Sequence, residues 1–146
     1  MSARVAALRL LAQRRLTQAQ LWSRLERKGH APDDICNAVE ECKRDGYLDD
    51  HLFAALFVEQ KRKPLGDARL TGELVKRGID RAIAAEIVSK ASRDESERID
   101  VAIERIFRAK SGTSYPSAAR ALERLGFPAA LIYRKLRVLA AQERVA

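Results

Sequence analysis

The feature that most constrains this chain is a glycine that returns at regular intervals. Gly29, Gly78 and Gly126 stand 49 and 48 residues apart. Four residues before each is a leucine (Leu25, Leu74, Leu122), and eight before are Leu21, Leu70 and Ala118. An apolar stripe at i, i+4 closed by glycine reads as the buried face of a helix whose last turn passes into the left-handed region. A bulky side chain follows each glycine (His30, Ile79, Phe127), and Ile35, Ile83 and Leu131 then open the apolar face of a second helix. A helix–short turn–helix repeated at this period predicts tandem copies of one helical unit. The boundaries expected are 1–46, 47–92 and 93–146.

The rest of the chain supplies the third helix of each copy. Residues 3–14 put Val5, Leu8, Leu11 and Ala12 on one face. Thr17 caps a helix ending at Gly29, and Pro32 opens the next at its first turn, with Ile35, Val39 and Cys42 inward. Further helices are predicted over 67–77, from Asp80 to Ala91, over 95–110, from Pro116 or Ser117 to Gly126, and from Pro128 onward, the last few residues fraying. Ala, Leu, Arg and Glu abound, 47% of residues are apolar and 33% charged, and only seven are glycine and four proline. That mixture favours helix over strand. The expected fold class is therefore all-α: three tandem three-helix, helix-turn-helix-like repeats forming an elongated, curved array. Each unit is close to the smallest size that sustains a core, so neighbours should pack on one another.

Between the first two copies lies the stretch Asp45 to Lys63. Gly46 ends one helix, Tyr47 and Leu48 offer apolar contacts, and either Asp49 or Asp50 can cap the next helix at its positive end. Phe53, Leu56 and Phe57 share one helical face, read here as buried core. On that reading Phe57→Ala costs about 3–5 kcal/mol. Lys61, Arg62 and Lys63 sit at the helix end that suits cations, and Pro64 and Gly66 stop it. Trp22, Tyr47, Phe53, Phe57, Phe107 and Phe127 are all assigned to the core by their spacing beside leucines.

Several functions are disfavoured. The chain has no Gly-rich phosphate loop, no H-E-x-x-H, no C-x-x-C and no G-x-S-x-G. Asp49 and Asp50 are adjacent and so point apart, which suits capping better than paired-carboxylate chemistry, and nothing fixes His51 as a base. Cys36 and Cys42 on one helix are separated by about 240° and about 9 Å, too far to bridge. No metal set and no cofactor are expected, and neither a membrane span nor a secretory signal. Two thiols without a partner suit a cytoplasmic protein.

Charge is more informative. Residues 1–30 carry seven basic and one acidic side chain, 31–60 two and eight, 61–98 ten and seven, and 99–146 nine and four, for a net +8. A basic surplus suits nucleic acid, or the acidic face of a protein bound to it. The contact candidates are Arg24, Arg27 and Lys28; Lys43 and Arg44; Lys61, Arg62 and Lys63; Arg69, Lys76 and Arg77; and Arg120, Arg124, Arg134, Lys135 and Arg137. Any one of them alone is more simply a solvated charge. The helices that would read DNA begin PDDI, DRAI and PAAL, acidic or apolar apart from Arg81, which supports sequence-specific reading poorly. Backbone-level, non-specific contact is the expected mode.

The stretch GYLDDHLFAALFVEQKRK resembles the hallmark of the RecX family, bacterial regulators of the RecA recombinase. LWSRLERKGHAPDDICNAVEECKRDG before it and LTGELVKRGIDRAIAAEIV after it are similar to that family's first two repeats, and ALERLGFPAALIYRKL fits the third loosely. The resemblance implies a non-enzymatic, mainly inhibitory modulator. Family members lie in the groove of the RecA–single-stranded DNA filament, reduce strand exchange and ATP hydrolysis, and can bind DNA themselves. Tyr47, Leu48, Asp49, Asp50, Phe53 and Phe57 match the family motif, and their expected role is to fix the angle between the first two repeats. The basic residues beside them are the expected contacts, working as a monomer. The alternatives are a tandem helix-turn-helix DNA-binding protein, acting as a transcription or architectural factor, and a scaffold that binds only proteins.

Overall fold

The structure, a computed structural model, describes residues 1–61, 63–91 and 93–145; Arg62 lies outside the described residues. Among them are nine helices and no strand: α1 (Ala3–Gln13), α2 (Gln18–Arg27), α3 (Pro32–Arg44), α4 (Asp50–Gln60), α5 (Asp67–Lys76), α6 (Arg81–Ser89), α7 (Glu95–Ala109), α8 (Tyr115–Arg124) and α9 (Ala129–Val145). Every extensive helix–helix contact falls within α1–α3, within α4–α6 or within α7–α9. The polypeptide is therefore a row of three-helix units.

The repeating glycines build the same turn three times. Gly29, Gly78 and Gly126 have φ of 91°, 91° and 94°, which only glycine adopts without strain. The N–H after each glycine donates back to the leucine carbonyl: His30 to Leu25 at 3.3 Å, Ile79 to Leu74 at 3.1 Å and Phe127 to Leu122 at 3.2 Å. These bonds satisfy the carbonyls that a helix end leaves open. The leucine side chains are wholly buried, so one residue serves both the turn and the core.

Each unit has its own core. The first gathers Ala6, Ala7, Leu16, Leu21, Leu25, Ile35 and Val39, and is closed by Leu48 from the loop before α4. The second is built on Ala54, Leu65, Leu70, Leu74, Ile79, Ala84 and Val88, the third on Ile99, Ala102, Leu122, Phe127 and Ile132. Each fully buried leucine or isoleucine contributes roughly 1.5–3 kcal/mol. Both cysteines are free, Cys36 exposed and Cys42 buried, and burial pushes the Cys42 thiol up.

Several sequence expectations are corrected. The inner face of α1 is Ala3, Ala6 and Ala7; Leu8 and Leu11 are half-buried, while Val5 and Ala12 are exposed. Alanines let α1 approach α3 closely, and that contact outweighs burial of the larger Val5. In α4 the buried residue is Ala54, which shares the second core with the equally buried Ala84 of α6, and Phe53, Leu56 and Phe57 are only half-buried. Tyr47 is not core, being 61% exposed. Helix α8 starts at Tyr115, because the Ser114 hydroxyl accepts the Ser117 N–H at 3.2 Å and caps it ahead of Pro116. Helix α9 stays helical through Val145, beyond the expected fraying.

The units are joined by one clasp used twice. Thr17, the N-cap of α2, donates its hydroxyl to the Arg77 carbonyl at 2.6 Å, and the next N–H, on Gln18, donates to Asp50 Oδ1 at 2.8 Å. At the second junction Gly66, the N-cap of α5, donates its N–H to the Leu125 carbonyl at 2.9 Å, and Asp67 N–H donates to Glu95 Oε2 at 2.7 Å. Arg77 and Leu125 each precede a turn glycine; Asp50 and Glu95 each open the first helix of the following unit. A carboxylate thus satisfies the free donors of the preceding unit's second helix, favoured by that helix's dipole. The backbones meet so closely that a Cβ at Gly66 would run into the Gly126 carbonyl, and one at Gly78 into the Ala19 methyl.

Candidate functional site

The motif stretch between the first two units resolves into parts with different duties. Leu48 plugs the first core, Asp49 caps α4 by accepting the Leu52 N–H at 3.1 Å, and Asp50 reaches across to α2. Phe53 and Phe57, one turn apart on α4, stack with ring centroids 6.5 Å apart and planes 9° from parallel. Against Phe57 lie two cations, the Lys61 ammonium 5.2 Å and the Arg77 guanidinium 4.5 Å from the ring centroid. Such contacts contribute roughly 0.5–1 kcal/mol each where water has access.

Glu73 on α5 organises the cations around these rings. It receives Arg77 Nη1 at 3.0 Å and Arg69 Nε at 3.4 Å, and Arg77 also donates to the Glu73 carbonyl at 2.8 Å. The hydrogen bond from Arg77 holds the Glu73 carboxyl below its ordinary range; burial opposes it, and the charges of Lys61 and Arg77 assist. Arg69 reaches the third unit as well, donating to the Arg124 carbonyl at 2.9 Å. Lys61, from the end of α4, and Arg69 and Arg77, one turn to either side of Glu73, therefore gather about one acid beside a half-buried aromatic pair. Three positive charges meet one negative charge.

In the first unit the equivalent stripe is unbraced. The 49-residue offset sets Gln20, Arg24 and Lys28 on the positions of Arg69, Glu73 and Arg77. An arginine thus replaces the bracing acid, and neither Arg24 nor Lys28 has an ion pair among the described residues. Arg27 donates to the Ser23 carbonyl of its own helix at 3.5 Å. Exposed Lys63, Lys76 and Arg124 also stand without ion pairs among the described residues. Other candidates are occupied: Lys43 pairs with Glu40 at 3.6 Å, Arg44 lies 4.0 Å from Asp45, and Lys135 pairs with Asp100 at 3.0 Å. Arg120 donates to Ser117 Oγ at 3.2 Å, and Arg134 and Arg137 are exposed on α9.

Sequence reasoning missed three groups. Glu73 was invisible because its role depends on two arginines one turn to either side on the same face. Glu95 had a signal, since Asp94–Glu95 repeats Asp49–Asp50 45 residues on, and Asp94 caps α7 through the Glu97 N–H at 2.8 Å as Asp49 caps α4. Arg98 carried no signal. Its guanidinium, nine-tenths buried between units two and three, donates to the Leu65 and Arg93 carbonyls and pairs with Asp67. Among the described residues no group of three or more His, Cys, Asp and Glu is placed to hold a metal ion, and no helix is long and apolar enough to cross a membrane.

A row of helix-turn-helix-like three-helix units defines an all-α helical-repeat protein. Comparison with known proteins gives the family. Two family models match, one described as RecX, first three-helix domain, over residues 3–42, and one as RecX, second three-helix domain, over residues 49–87. The regulatory protein RecX of Halorhodospira halophila is 34% identical over 130 residues, covering 86% of this chain and 81% of the relative. That of Caldanaerobacter subterraneus subsp. tengcongensis is 35% identical over 92 residues, covering 62% of this chain and 47% of the relative. The crystal structure of RecX from Lactobacillus salivarius superposes with a TM-score of 0.83 at 19% identity, covering 95% of both chains, so the fold is shared. The chain belongs to the RecX family of regulatory proteins.

Proposed function

We propose that this chain binds the RecA–single-stranded DNA filament and restrains its strand exchange and ATP hydrolysis. It acts by binding and not by catalysis, as a cytoplasmic monomer that requires no cofactor. Family membership supports the target. The observation that carries the mode of action is the pair of cationic stripes on consecutive units: Arg24 and Lys28 unbraced on α2, and Lys61, Arg69 and Arg77 gathered about Glu73 beside α5. Two such stripes on adjacent units of one rod suit a ligand that repeats its own negative charge, as a filament of identical subunits around nucleic acid does. The domain boundaries follow the same logic, the units 1–46, 47–92 and 93–146 each supplying one second helix to the row.

Contact with nucleic acid in this reading is to phosphates and not to bases. The helices after the glycine turns begin with Pro32–Asp33–Asp34, Arg81–Ala82 and Ala129–Ala130. Of these side chains Arg81 alone is of the type that most commonly reads a base edge, and the other two units have no counterpart to it, so no base-reading row is built. The test is co-sedimentation with preformed filaments across a salt series. Binding should weaken steeply from low to moderate salt, and R24E combined with K28E should weaken it further. Binding that is flat with salt and unchanged in the double variant contradicts the proposed mode.

A further inference from the structure

A cleft of about 400 Å³ opens where the second unit meets the third. Its floor is aliphatic: half-buried Val58 from α4 and Val101 from α7 lie over the buried core side chains Leu65 and Leu70. Its rim is basic: Lys61, Lys63, Arg93 and Arg105 stand against a single acid, Glu59. One wall is Arg98, whose guanidinium is held by the Leu65 and Arg93 carbonyls and by Asp67. Arg98 therefore keeps the wall rigid, while Lys63 and Arg93 are exposed and have no ion pair among the described residues.

Excess positive charge around an apolar floor is complementary to a ligand that combines carboxylates with an apolar side chain. Nucleic acid fits less well, because the floor has no aromatic ring on which a base could stack and only the rim would contribute. We propose that this cleft receives a short acidic peptide segment of a partner protein. A large apolar side chain of that segment sits on Val58 and Val101, and its flanking carboxylates meet Lys61, Lys63 and Arg93. Because the two junctions share their clasp but only the second is walled by Arg98, the site belongs to the second junction. It shares Lys61 with the proposed filament-binding stripe but is carried by Lys63 and Arg93, so the peptide can bind to a chain that leaves the recombinase untouched, and the reverse.

The experiment is a fluorescence-anisotropy titration of the full chain into a dye-labelled peptide with a central Leu–Phe pair flanked on both sides by Glu and Asp. Saturable, salt-weakened binding is expected. K63E and R93E should each weaken it about tenfold through like-charge repulsion, and replacing the Leu–Phe pair by serines should weaken it comparably. R9E, on exposed α1 surface, should leave it unchanged. Both cleft variants alter exposed side chains, so their melting temperatures should match the parent and separate lost binding from lost folding. Absence of saturable binding, or equal binding by K63E and R93E, overturns the proposal. So does tighter binding of an oligo-dT strand that displaces the peptide and depends on the same two residues, which would assign the cleft to phosphates.

Discussion

Phe57 lies at the margin of a core, stacked on Phe53 and approached by Lys61 and Arg77. Half-burial lowers what its removal should cost. Phe57→Ala is expected to destabilise by roughly 1.5–3 kcal/mol in chemical denaturation, and not by the 3–5 kcal/mol of a fully enclosed ring. The helical spacing of Phe53, Leu56 and Phe57 was legible, but their depth was not, because α4 meets α6 across the small Ala54. Glu73 makes a prediction of opposite kind. Its carboxyl is held low by Arg77, so its contribution is present above the ordinary glutamate range and lost as pH falls through the lowered value. Melting temperature should drop on acidification below about pH 4, and Glu73→Gln should be less stable at neutral pH with a shallower acid slope. An unchanged slope would mean that Glu73 does not brace the arginines.

At the scale of elements, the Leu–x–x–x–Leu–x–x–x–Gly pattern disclosed the units because one leucine both lines a core and closes a turn. How the units join was not legible. The clasp depends on a backbone N–H of one unit meeting a carboxylate of the next, and sequence shows neither the orientation of the N–H nor the distance. The acid doublets Asp49–Asp50 and Asp94–Glu95 look like ordinary caps, and their first members are. Their second members bind units together. Asp50→Ala leaves the Gln18 N–H unsatisfied at the start of α2 and should cost about 1–2 kcal/mol. Asp50→Asn, which keeps an acceptor, should recover part of this in the same thermal unfolding assay. Equal loss in both would place the effect in charge and not in the hydrogen bond. Arg98 escaped sequence analysis for a related reason: only the fold makes the junction that buries it.

Taken whole, the molecule is a row of small cores clasped by polar contacts, with accessible cations along its second helices and also in the loops and on α1 and α9. The net +8 pointed to an anionic partner, but folding decides which charges remain available. Lys43, Arg44 and Lys135 are paired, whereas Arg24, Lys28, Lys63 and Lys76 have no ion pair among the described residues. A protein that restrains a filament from such a surface should act at few sites per filament. The most direct test is ATP hydrolysis by RecA on single-stranded DNA, with DNA in excess, while this chain is added well below the RecA concentration. Inhibition at a small fraction of the recombinase is predicted, since competition for excess DNA cannot produce it. No inhibition even at equal concentration, together with tight binding to a defined duplex, would contradict the account and favour a DNA-binding helix-turn-helix protein.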